Sequence, residues 1–498
     1  MAGVDLARQV GLVALGKGAG ALSNLAVSAV LAWAWSEDQA QLGAYAAVWT
    51  LGNTLIPLFM LGIPSSLLYF YPQLNRSGQQ RLLLQAALCL AASGLVLGGL
   101  LLAVGPRLGF LAGSGSGVGA GDPFLHLAAF VPYTCFWVAG GLVEPGLVAA
   151  GRPVWQAWIS LGVAVGQLAL GLAAVLLDWG VGGVFWGFSG LGVARFLVGM
   201  LLVGAAAGGW GGRWSASGLG ELLRYSLPVA LGDGVGSAAR AVDRMVILVF
   251  FSAETLALYH LGAIEIPVSI LLASATTVLI PQVSGFYAQG QRAKIAALWR
   301  TAAERLSLVV LPVFFLFFAL AGSLIEVVYP QQYGQSAWVM RVLLLAMPLR
   351  CAIYNPLLVG MGKARWALWV GVGDLLLNAA LSVALTQLLL SAWPAWAFLG
   401  PAVATVLSTW VQVGVLVALI SWHLDSGLGE LLPWRHLGRV SLICGCAAAL
   451  SWAVKLVDTP PPVGLGLAVA VFAAVVLMAS RPADRAVFVN LLRARKRL

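Results

Sequence analysis

The chain has 498 residues, of which 61% are hydrophobic and 9% charged, and it carries a formal net charge of +10. A soluble domain holds roughly 25% charged residues, so this composition excludes a soluble particle of this size. Apolar runs of about 20–28 residues recur along the whole length, which suits helices that cross a bilayer and is too long for barrel strands.

The expected fold class is therefore all-α: a polytopic membrane protein of about fourteen transmembrane helices. The spans centre near 10–33, 42–70, 82–105, 125–150, 154–177, 182–207, 222–251, 255–284, 304–328, 337–361, 366–390, 395–422, 438–457 and 463–480. The first apolar stretch is broken by Lys17 and runs on into a full span, so it makes no convincing signal peptide. Ser23 and Asn24 add polar groups further along the same span. After span four the chain reads EPGLVAAGRPVWQAW, residues 144–158. Span six holds Arg195. SGLGELL at 217–223 leads into span seven, the most charged, with Asp233, Arg240, Asp243 and Arg244. Asp233 and Arg240 are seven apart and Arg240 and Arg244 four apart, so these three share one helical face, with Asp243 beside them.

Span eight carries LALYHLGA and Glu265. Arg350 lies in span ten, which is followed by NPLLVGMGKARWALW, residues 355–369. Asp374 and Asn378 are one turn apart in span eleven. SGLGELL returns at 426–432 before the last two spans and a basic RARKRL tail.

The two turn sequences align without gaps. Pro145 meets Pro356, Leu147 meets Leu358, Gly151 meets Gly362, Arg152 meets Lys363, and Trp155 and Trp158 meet Trp366 and Trp369. A looser echo joins Leu42, Tyr45, Ile63–Pro64 and Gly78–Gln79 to Leu256, Tyr259, Ile280–Pro281 and Gly290–Gln291. Six spans per copy is even, so both copies run in the same orientation. This parallel repeat predicts two six-helix lobes around a central cavity, residues 1–210 and 211–425, with 426–498 supplying two added helices and a basic tail.

With the N-terminus inside, inner segments hold Arg8, Arg76, Arg81, Arg152, Arg213, Arg224, Arg292 and Lys294 among many others, while outer ones hold only Arg107, Arg341 and Lys455. The positive-inside rule then places both termini in the cytoplasm, where the excess positive charge meets anionic lipid rather than nucleic acid.

Catalytic signatures are missing. The histidines are dispersed, no HExxH, paired CxxC or Walker sequence occurs, and the five cysteines sit in apolar runs. The Gly-rich stretch 113–121 reads as a linker. No metal, cofactor or enzymatic activity is expected. The informative residues are charges inside spans, each costing at least ~2.5–3.5 kcal/mol at the centre of a lone helix, so each must face a cavity or a partner. Lys17, Asn24, Arg195, Arg240, Arg244 and Arg350 are the candidates for substrate binding. Asp233, Asp243, Glu265, Asp374 and Asn378 are the candidates for ion coupling or charge pairing. An ion-pair staple between Arg240 and Asp243 is the structural alternative.

The two six-helix lobes, Asp243 followed by an apolar run and LALYHLGA, and the turns VAAGRPVW and VGMGKARW resemble the multidrug/oligosaccharidyl-lipid/polysaccharide exporter superfamily, and within it the O-antigen and polysaccharide flippases. The first lobe keeps that family's Gly43–Tyr45, whereas the second has Ala257–Leu258–Tyr259. The resemblance implies a flippase that moves undecaprenyl-diphosphate-linked oligosaccharide from the inner to the outer leaflet of a bacterial cytoplasmic membrane by alternating access. By helix position, its cavity cations correspond to Lys17, Arg240 and Arg244. The implied partners are the lipid-linked glycan, membrane lipid, and a glycan polymerase and glycosyltransferases of the same pathway. A cation-coupled drug antiporter of the same superfamily is the main rival. A glycan polymerase or ligase is disfavoured by the short loops.

Overall fold

In a computed structural model of the protein, the described residues are 2–105, 123–210, 215, 217–264, 268–454, 459–481 and 484. The Gly-rich stretch 113–121, Glu265 and the RARKRL tail lie outside them, as does the side chain of Lys17. Among the described residues there is no strand. The helices are α1 (Ala2–Ala34), α2 (Gln39–Phe59), α3 (Ile63–Phe70), α4 (Arg76–Val104), α5 (Pro123–Ala139), α6 (Val143–Ala149), α7 (Pro153–Leu176), α8 (Val181–Ala207), α9 (Leu219–Phe250), α10 (Ala253–Gly262), α11 (Val268–Ala288), α12 (Arg292–Val328), α13 (Ser336–Leu344), α14 (Asn355–Gly360), α15 (Ala364–Ala392), α16 (Gly400–Leu424), α17 (Leu428–Leu431), α18 (Trp434–Ala453) and α19 (Pro461–Ala479).

Each of the fourteen expected segments contains helix. Nine helical spans among the described residues are long and apolar enough to cross a membrane, and the bent pair α13–α14 makes a tenth. The protein is a multi-pass, all-α membrane protein. Helix α9 falls outside those nine because its own charges lower its hydropathy.

Several spans are broken, and the breaks follow from sequence. Between α2 and α3 the backbone turns through Leu61 and Gly62, both at positive φ, and Pro64 opens the new helix. Between α13 and α14 a 3-10 turn at Met347–Cys351 carries Pro348, and the pair is bent by 47°. Proline removes a helical N–H and clashes with the preceding turn, so it marks such kinks.

The two aligned turn sequences close with the same hydrogen bonds. Gly151 and Gly362 have φ of +72° and +73°. The N–H of Arg152 donates to the Leu147 carbonyl at 2.8 Å, and the N–H of Lys363 to the Leu358 carbonyl at 2.8 Å. Gly151 N–H donates to Val148 at 3.0 Å and Gly362 N–H to Val359 at 2.9 Å. Both are Schellman closures, in which a left-handed glycine satisfies the last carbonyls of a helix.

The looser echo is not carried to the same degree. Gly290 (φ +70°) ends α11 with another such closure, Gln291 N–H to the Phe286 carbonyl at 2.9 Å, whereas Gly78 lies in the first turn of α4 and donates its N–H to the capping Asn75 at 2.9 Å. The two SGLGELL copies also differ. The first enters α9 directly after Gly218 (φ +84°). The second makes only the four-residue α17, and Leu432 is extended (φ −113°, ψ 143°). Pro433 is the cause, because the residue before a proline is pushed out of the helical region.

The chain forms two compact units, Met1–His260 and Leu261–Leu498. The boundary falls later than residue 210 because α9 packs along α2 and α3. Gly62 lies against the Ser226 carbonyl, so that a Cβ there would collide with it. Ser66 and Ser226 hydroxyls are hydrogen-bonded at 2.6 Å, and Ser237 Oγ donates to the Asn53 carbonyl at 3.1 Å. In the second unit, Val283, Ile295, Trp299, Leu358, Leu416 and Ile420 form a core that joins α11, α12, α14 and α16.

Candidate functional site: the charged face of α9

Helix α9 has two characters. Ser226, Ala230, Ser237 and Ala241 are buried against its neighbours, while Asp233 and Arg240 are exposed. A helix that leaves an acid and a guanidinium exposed suits a polar surrounding, since lipid supplies no counter-charge. Arg244, one turn beyond Arg240, is half-buried and its Nη1 donates to the Arg240 carbonyl at 3.2 Å.

Among the described residues no ion pair joins Arg240 to Asp243. Asp243 is buried, and its carboxylate accepts the Tyr259 hydroxyl at 2.9 Å and the Arg244 N–H at 2.8 Å. In place of that alternative, the Asp243 carboxylate bonds α9 to α10. The pattern of α9 alone contains no sign of Tyr259, which lies beyond a helix break. Next to Tyr259, His260 Nε2 is 3.5 Å from Ser28 Oγ of α1, and its ring stands edge-on to Tyr45 at 6.4 Å. Asp243, Tyr259, His260 and Ser28 therefore form a polar joint between α9, α10 and α1 beside the two arginines. Asn24 is exposed on α1 and its carbonyl accepts Ser28 Oγ at 3.0 Å.

Arg195 has a different setting. It is enclosed within the first unit at 7% exposure, 3.7 Å from Glu144 and with its guanidinium 4.1 Å from the centre of the Trp137 ring. Its Nη1 lies close over Gly140, where a Cβ would be at 3.0 Å. A stacked aromatic core of Tyr45, Trp49, Phe130, Tyr133, Phe185 and Phe188 packs α2, α5 and α8 together nearby. Arg195 belongs to this packed interior, and an open substrate surface is not where it sits.

The remaining candidates lie in the second unit. Arg350 is exposed in the 3-10 turn Met347–Cys351. Asn378 is buried, and its Oδ1 accepts hydroxyls from Ser382 (3.1 Å) and Thr405 (3.3 Å), which makes it a packing node between α15 and α16. Asp374 lines a pocket between the same two helices. No group of three or more His, Cys, Asp or Glu side chains able to hold a metal occurs among the described residues.

Broken apolar spans, buried polar seams and a charged helix face define a class: a multi-pass, all-α membrane protein. Comparison with known proteins narrows it. A family model described as "Polysaccharide biosynthesis protein" matches residues 156–338. No curated protein sequence matches the chain. Among solved structures the chain is similar to the lipid II flippase MurJ in an inward closed conformation, with 14% identity, a TM-score of 0.74, and coverage of 93% of this chain and 97% of that one. It is similar to an inward-facing multidrug resistance MATE family transporter of the MOP superfamily, with 15% identity, a TM-score of 0.65, and coverage of 81% and 94%. It also resembles a MOP superfamily transporter from Pyrococcus furiosus whose binding pocket is described as reversed in polarity, with 14% identity, a TM-score of 0.58, and coverage of 84% and 95%. The chain has the same fold as these solved structures. The proteins that share it are named as transporters and flippases, not as catalysts.

Proposed function

We propose that the protein is a flippase for polyprenyl-diphosphate-linked oligosaccharide, the undecaprenyl-linked unit of O-antigen or another surface glycan. It carries the head group from the inner to the outer leaflet of a bacterial cytoplasmic membrane by alternating access, with both termini in the cytoplasm. The observation that carries this reading is the open cationic face of α9, where Arg240 is exposed with Arg244 one turn away. A diphosphate is recognised best by guanidinium groups, which offer paired donors at fixed geometry. The acyl tail stays in the bilayer and needs no enclosed site. In this reading Asn24 of α1 lines the same pathway, and Arg350 serves the second unit. Arg195, held between Glu144 and Trp137, acts by fixing the shape of the first unit. Glycosyltransferases and a polymerase of the same pathway supply and consume the glycan.

The second reading, a cation-coupled drug antiporter, is favoured by the likeness to a multidrug transporter and by the exposed Asp233. A strain lacking the protein separates the two. The flippase reading predicts loss of the surface glycan with unchanged drug susceptibility. Hypersensitivity to cationic drugs with an intact glycan profile would establish the antiporter instead.

A further inference from the structure

A pocket of about 380 Å³ opens between α15 and α16, lined by Trp366, Trp369, Asp374, Ser408, Gln412 and Val415 among others. That volume is within the usual range for small-molecule sites. Asp374 lies ten residues into α15, ~15 Å along the axis of a helix long and apolar enough to cross a membrane. Its Oδ1 is buried, and the Ser408 hydroxyl of α16 is the protein group beside the carboxylate. An ionisable group at such depth persists when something meets it.

The chemistry around the carboxylate is specific. The two indoles contribute flat apolar faces. Ser408 is buried between the Thr405 carbonyl, 3.1 Å away, and the Asp374 carboxylate, two acceptors for its one proton. Gln412, one turn further along α16, offers both a donor and an acceptor. Asn378 is consumed by packing and does not line the pocket. Acceptors, one amide and two indole faces suit a pyranose: hydroxyl groups on its edges and C–H groups on its faces.

We propose that this pocket is a sugar-binding subsite that takes a neutral or amino-substituted ring of the glycan head group, a statement that rests on the lipid-linked glycan reading. Asp374 is the one formally charged side chain in the lining, so a ring bearing its own carboxylate is rejected by like charge in a low-dielectric setting.

The test uses the full chain in nanodiscs with Val415→Cys, an exposed lining position. Labelling of that thiol is followed by peptide mass spectrometry, which separates it from the five native cysteines. Saturating methyl hexoside or hexosamine should slow labelling at least ~3-fold, hexuronate should not, and Asp374→Asn or Trp369→Phe should abolish the protection. Val411→Cys is the second reporter should the first fail to fold. Protection by sodium or choline alone, equal protection by hexuronate, or protection by none of the sugars would overturn the assignment. Protection without lipid-linked glycan transport would sink the flippase reading and leave the subsite standing, and transport without protection would do the reverse.

Discussion

Gly151 and Gly362 hold nearly the same φ, +72° and +73°, at the ends of two short helices, and the residue after each donates its N–H five residues back at 2.8 Å. A Cβ on either glycine would meet no atom within 4 Å. The cost of replacing them therefore lies in the backbone alone. Gly151→Ala and Gly362→Ala should each destabilise the detergent-solubilised protein by about 1–2 kcal/mol, and by similar amounts, read as thermal unfolding. A large difference between the two would show that the turns are not equivalent parts of a repeat.

Gly43 gives the contrast. A Cβ there would run into the Ala253 carbonyl. The close approach of α2 to the start of α10 has no room for it, so Gly43→Ala should reduce folded protein far more than either turn substitution. Equal yields of Gly43→Ala and Gly151→Ala would contradict this packing.

Tyr259→Phe removes the hydroxyl donor from buried Asp243. Leaving a buried acceptor short of a donor costs about 1–3 kcal/mol. The variant should unfold earlier, and Asp243→Asn, which keeps an acceptor for Tyr259, should be milder than Asp243→Ala. A Tyr259→Phe variant as stable as the parent would remove this joint from the account.

Much of this structure was legible in the sequence. The fourteen helical segments follow from the apolar runs, and the shared face of Asp233, Arg240 and Arg244 follows from spacing within one helix. What sequence spacing does not reach is contact between helices. The Tyr259–Asp243 bond crosses a helix break, and the burial of Arg195 depends on Trp137 of α5 and Glu144 of α6 folding over it. Identity of sequence was also an imperfect guide. The second SGLGELL is cut short by the proline that follows it, a local rule that outranks the repeat.

Arg195 separates structure from transport. It is buried and paired with the half-exposed Glu144, so Arg195→Met should act first on folding. Glycan export should fall in step with protein abundance. Export lost at normal abundance would return Arg195 to the substrate pathway.

Topology is open to direct measurement. Ser217 and Ser426 begin the two SGLGELL copies, and the positive-inside bias leads one to expect both in the cytoplasm. Cysteines at these positions should react with an impermeant reagent only in inverted vesicles. Reaction in intact cells would reverse the orientation.

The central claim is that the arginines of α9 hold a diphosphate during translocation. The most direct measurement is leaflet-to-leaflet movement of polyprenyl-diphosphate-linked oligosaccharide in proteoliposomes, comparing the parent with the Arg240→Gln/Arg244→Gln double variant at equal reconstituted amounts. The account predicts that the variant folds and inserts normally yet translocates at least ~10-fold more slowly. Arg→Lys at both positions should recover part of the rate, because a point charge still attracts phosphate without the paired donors. Unchanged translocation by the folded double Gln variant would contradict the account.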